Sequence, residues 1–91
     1  MIKKICFFST CFATHTQVRL EYAEKFLPED IKLFLLTPKK FNKYKSKRTK
    51  IIELPNEKIS FILELRKFCR KNKIDLLVNL GTSNESFGMF F

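Results

Sequence analysis

Ninety-one residues suffice for one small domain, and a hydrophobic fraction of 45% is too high for a disordered chain. No apolar run approaches the roughly 20 residues needed to span a bilayer. The net charge of +9 is uneven: Lys39, Lys40, Lys43, Lys45, Lys47, Arg48 and Lys50 are seven cations with no acid among them, so nine less seven leaves +2 for the rest.

The first element is a strand, from the apolar run Ile2, Ile5, Cys6, Phe7 and Phe8. A short run of this kind reads as a strand buried on both faces. The polar turn Ser9 to Gln17 follows. Val18, Tyr22, Ala23, Phe26 and Leu27 then recur at helical spacing until Pro28. Thr14 and Gln17 fit a T-x-x-Q capping box for this helix. Ile31 and Leu33 to Leu36 predict a second strand, closed by Thr37-Pro38. Residues 39–50 are a connector too charged to be buried. Its length suits a parallel crossover or a hairpin.

Ile51, Ile52 and Leu54 predict a short third strand, ended by Pro55 and suited to a sheet edge. Asn56 is the expected cap of a second helix, with Glu57 in its first turn. Its apolar stripe is Ile59, Phe61, Ile62, Leu63, Leu65, Phe68 and Cys69, and Asn72 is its expected end. Ile74, Leu76, Leu77, Val78 and Leu80 predict a fourth strand. After Gly81, the T-x-x-E pair Thr82 and Glu85 predicts a third helix beginning near Ser83. The whole reads as β-α-β-β-α-β-(α), an α/β, Rossmann-like parallel sheet of order 3-2-1-4, incomplete at its C-terminal side.

In that order the chain reverses direction across the sheet between strands 1 and 4, where ligands of such folds sit. Both polar turns lead there into helix N-termini, which favour anions. The candidate ligand residues are Thr14, Thr16, Gln17, Thr82, Ser83, Asn84 and Glu85, with His15 the candidate for catalysis. The same types also serve as plain helix caps. Two glycines, Gly81 and Gly88, exclude a Gly-rich dinucleotide fingerprint. Cys6, Cys11 and Cys69 have no C-x-x-C and no metal-ligand spacing. Cys6 and Cys69 read as small core residues in a reducing, cytoplasmic compartment, and no metal or cofactor is expected. No signal-peptide cleavage pattern follows Met1-Ile2-Lys3-Lys4.

The opening Lys3-Lys4-Ile5-Cys6-Phe7-Phe8-Ser9-Thr10, with its polar loop and helix, resembles the start of GT-B glycosyltransferases. So does Asn72-Lys73-Ile74-Asp75-Leu76-Leu77-Val78-Asn79-Leu80-Gly81. The resemblance implies the front of the N-terminal, acceptor-binding half of such an enzyme. The nucleotide sugar would be held by a C-terminal half outside these residues, so no sugar transfer is expected from the chain alone. Where the family's first loop usually carries a Gly pair, this chain has Ala13-Thr14-His15. Where its fourth-strand turn often carries a His, this chain has Thr82-Ser83-Asn84. The alternative is a small non-catalytic α/β binding or interaction module.

For the connector, the resemblance points to an anionic membrane surface at the inner leaflet, met by Lys39, Lys40, Lys43, Lys45, Lys47, Arg48 and Lys50, with Phe41 and Tyr44 dipping into the interface. Nucleic acid would be drawn to the same charges. Phe87, Phe90 and Phe91 on the third helix are expected to drive self-association.

Overall fold

The computed structural model describes residues 2–10 and 14–80. The elements are β1 (Lys4–Phe8), α1 (Thr14–Phe26), β2 (Lys32–Pro38), a 3-10 turn (Lys39–Phe41), β3 (Lys50–Leu54), α2 (Lys58–Lys71) and β4 (Leu76–Asn79). All three strand pairs are parallel and the sheet order is β3-β2-β1-β4. The chain is therefore α/β with a Rossmann-like sheet in the predicted order, and the basic connector is a crossover. The predicted third helix lies outside the described residues, with Thr82, Ser83, Asn84, Glu85, Phe87, Phe90 and Phe91. So does Cys11.

Alternation along the buried strands divides the core in two. Ile5, Phe7, Leu33 and Leu35 share one cluster with Leu20 of α1, while Cys6, Phe8 and Leu36 share the other with Phe61 and Leu65 of α2. One helix thus covers each face, as side chains pointing alternately up and down require.

Helix α1 buries a different stripe from the expected one, and α2 buries, wholly or in part, five of its seven expected residues, Phe61, Ile62, Leu65, Phe68 and Cys69. On α1 the fully buried positions are Thr16 and Leu20, with Ala23 and Leu27 packed partly against the sheet. Val18, Tyr22 and Phe26 are exposed, Tyr22 at 59% and Phe26 at 72%, with the last two rings stacked on each other. A threonine counted as polar hid the stripe Thr16-Leu20-Ala23-Leu27, which keeps the four- and three-residue spacing of one helix face. On α2, Ile59 and Leu63 face solvent, and Phe61 and Leu65 form the buried centre.

The helix ends also differ from expectation. Thr14 is already helical, and Gln17 does not turn back on the helix start; its amide goes to Glu21 and Lys45. The cap of α2 is Glu57, whose carboxylate accepts from Ser60 N–H at 2.6 Å. This bond holds the carboxyl of Glu57 below its usual range. Asn56 instead accepts from Lys40 N–H.

At its far end α2 stops at Asn72, as expected, through a Schellman motif. Ile74 N–H reaches the Cys69 carbonyl and Lys73 N–H reaches that of Arg70, with Lys73 at φ 54°. Asp75 then joins β4 to the start of β1. Its carboxylate accepts from the N–H groups of Lys3 (2.8 Å) and Lys4 (2.9 Å), and these bonds lower its pKa.

Candidate functional site

The strand order puts β1 beside β4, in register from Ile5 with Leu76 to Phe8 with Asn79. Both ladders run one step further, through Ser9 N–H to the Leu36 carbonyl and Leu80 N–H to that of Phe8. The carboxyl ends of β1 and β4 and the start of α1 therefore meet at one place. Thr14 and His15 are exposed on the first turn of α1 there. Arg19, one turn beyond His15 on the same helix side, donates from Nη1 to the Leu80 carbonyl at 2.9 Å. Sequence reasoning missed Arg19. The signal was its i+4 spacing from His15.

The other predicted residues of this turn stand behind the surface. Thr16 is fully buried, and its Oγ1 lies 2.7 Å from Tyr44 Oη. The Tyr44 hydroxyl donates to Ser9 Oγ at 2.9 Å. A phenol has one hydrogen, so Thr16 is the donor in the first contact. These three hydroxyls form a buried polar chain linking β1, α1 and the connector. Thr37, beside Ser9 across the β1–β2 pair, is fully buried too; among the described residues its Oγ1 and Asn42 Oδ1 have no hydrogen-bond partner.

Gln17 holds the connector directly. Its Nε2 donates to the Lys45 carbonyl (2.9 Å), and its Oε1 accepts from Lys45 N–H (3.2 Å). The Lys45 backbone is thus fixed against the first turn of α1.

The connector was expected to be a solvated loop or an anion contact, to a membrane with Phe41 and Tyr44 in its interface or to nucleic acid. Tyr44 does not fit either role: it is 5% exposed and belongs to the α1 core. Its ring fills apolar volume while its hydroxyl finds partners, the usual condition for a buried tyrosine. Arg48 is turned inward as well. Its guanidinium donates to the carbonyls of Glu24 (2.6 Å), Leu27 (2.9 Å), Pro28 and Ile31 (3.2 Å). It caps the C-terminus of α1, where carbonyls lack helical partners and a cation suits the dipole. Glu24 receives the hydroxyls of Ser46 and Thr49 beside it.

Residues 39–50 are therefore a strap running along α1 from its first turn to its last. Lys39, Lys40, Lys43, Lys45, Lys47 and Lys50 are exposed upon it. At the upper end, Asn42 donates to Glu53 of β3. The α1 N-terminus and Arg19 favour an anion near the β1–β4 junction. No group of three or more His, Cys, Asp and Glu is placed to hold a metal ion among the described residues. No protein-family model matches the chain, and neither does any curated protein or solved structure.

Proposed function

We propose that this chain is the front of the acceptor-side half of a GT-B glycosyltransferase, and that the junction of β1 and β4 receives the phosphate-bearing part of its ligand. The observation that carries the reading is the 3-2-1-4 order, which brings the start of α1 and Arg19 together at the switch point. In this reading Thr14 and His15 meet the ligand. Thr16 and Gln17 act through the strap they hold. Thr82, Ser83, Asn84 and Glu85, which follow β4 in the chain, are further ligand residues in this reading. The nucleotide sugar belongs to a C-terminal half outside these residues, so the chain alone transfers no sugar.

The lysine strap gives the same domain a surface for the anionic inner leaflet of a membrane. Each lysine near such a surface contributes about 1 kcal/mol. Among the described residues no helix is long and apolar enough to cross a membrane, and the reading needs only surface contact.

The test is amide NMR of the full chain titrated with inorganic pyrophosphate, the anionic group shared by nucleotide sugars and polyprenyl-diphosphate acceptors. Saturable shifts centred on Thr14, His15, Arg19 and residues 81–85 are expected. Shifts confined to the strap, or spread evenly over all basic residues, would reject the junction as a ligand site.

A further inference from the structure

Cys6 points from the central strand β1 into the α2 core and is fully buried. Cys69 faces it from the last turns of α2 and is partly exposed. Both thiols are free. Cys6 Sγ donates to the Phe7 carbonyl at 3.6 Å; the neighbouring Cys69 and burial raise the pKa of Cys6, and the Cys6 thiol lowers that of Cys69. Cys69 also lines an open cavity of about 440 Å³ that carries Arg66, Arg70 and Lys73, with Asp75 as the one carboxylate in its wall. Reactive thiols are characteristically partly exposed, set among cations and backed by a second thiol able to close on them. Cys69 meets all three conditions, and Cys6, with no path to solvent, is the second thiol.

We propose that Cys69 and Cys6 are the attacking and resolving thiols of a redox pair, oxidised by small anionic disulfides of the glutathione type that enter the Arg66–Arg70–Lys73 cavity. The Cys69 thiolate attacks one sulfur of the small disulfide. A mixed disulfide forms on Cys69, and the expelled thiolate takes up a proton from solvent. Cys6 then attacks the Cys69 sulfur, and its proton passes to the small thiolate that leaves. Two protein thiols become one disulfide while one small disulfide becomes two thiols, so electrons and atoms balance. Because Cys6 is fully buried and Cys69 partly exposed, the mixed disulfide forms on Cys69 before the internal bond closes.

The experiment uses the full chain with Cys11→Ser, which leaves only the two thiols of interest. Folded protein is treated with oxidised glutathione or with cystamine, a cationic disulfide, each rate is divided by that of the urea-unfolded chain with the same reagent, and the products are mapped by peptide mass spectrometry. The expected sequence is a glutathione adduct on Cys69, then its loss with formation of a Cys6–Cys69 crosslink. Oxidised glutathione should exceed cystamine in rate by roughly tenfold at low salt. Arg66→Gln with Arg70→Gln should remove most of that preference. Lys43→Gln with Lys45→Gln, an equal change in net charge elsewhere, should leave it in place. In a Cys6→Ser chain the reaction should stop at the adduct. An adduct that persists unchanged with Cys6 present would overturn the pair. So would a Cys69 that reacts no faster folded than in urea. A preference that falls equally with both double variants would overturn the cavity as the docking site.

Discussion

Two helices cover opposite faces of one sheet and are held there by different physics. Helix α2 is fastened by an apolar stripe centred on Phe61 and Leu65, with an acidic cap at one end and a Schellman turn at the other. Helix α1 buries less: Leu20 is its one fully buried apolar side chain, while Tyr22 and Phe26 lie open to solvent. It is held largely by polar bonds from the strap, through Tyr44 and the Lys45 backbone at its start and Arg48 at its end. The difference teaches that the most charged stretch of this chain is part of its architecture. Its lysines are free to meet a partner because Tyr44, Arg48, Ser46 and Thr49 turn inward.

The largest expected effect is on the apolar side. Phe61→Ala should lower unfolding free energy by about 3–5 kcal/mol in urea titration, since it removes a buried ring and leaves a cavity. Next is Arg48→Ala. It strips the carbonyls at the end of α1 of a charged donor and should cost about 2–3 kcal/mol. An arginine in a solvated loop would cost within about 0.5 kcal/mol, so a loss that small would erase the contrast between the helices. Tyr44→Phe should cost about 1–2 kcal/mol, because it removes a hydroxyl that links Thr16 to Ser9 while keeping the ring.

Much of the fold was legible because the strands are plain apolar runs and the sheet order follows from right-handed crossovers. The attachments of α1 were not legible, because each is a polar group whose partner is remote in sequence. Thr16 meets Tyr44 across 28 positions and Arg48 meets Glu24 across 24. Periodicity, which weighs residues by polarity, left Thr16 in the polar turn as a ligand residue and put Val18, Tyr22 and Phe26 inside. Thr14 and His15 were proposed from the turn itself, and they lie exposed on the first turn of α1. Arg19 was missed because only the return of β4 gives it a carbonyl to hold. Asp75, part of the pattern that resembles GT-B enzymes, has a local duty in tying two strand starts together.

Two smaller effects sharpen the account of α2 and the strand starts. Lys73 occupies a left-handed position at the end of α2. Lys73→Gly should therefore raise stability by about 0.5–1 kcal/mol, read as a higher urea midpoint with an unchanged slope. The smallest effect is on pH dependence. Asp75 and Glu57 have lowered pKa values, so their contribution is present above the unfolded carboxylate value near about 4 and is lost as pH falls through the folded one. Melting temperature measured from pH 7 to pH 3 should fall less steeply at the acid end in Asp75→Asn than in the parent.

The most direct test of the central claim, that the strap is a fixed scaffold presenting lysines to an anionic surface, is co-sedimentation with vesicles. The variant carries Lys39, Lys40, Lys43 and Lys45 changed to Ser, with Tyr44 and Arg48 retained so that α1 stays fastened. The account predicts that the parent sediments with phosphatidylserine vesicles and not with phosphatidylcholine ones. It also predicts that salt releases the parent and that the variant remains in solution with an unchanged melting temperature. Equal sedimentation of parent and variant would contradict it.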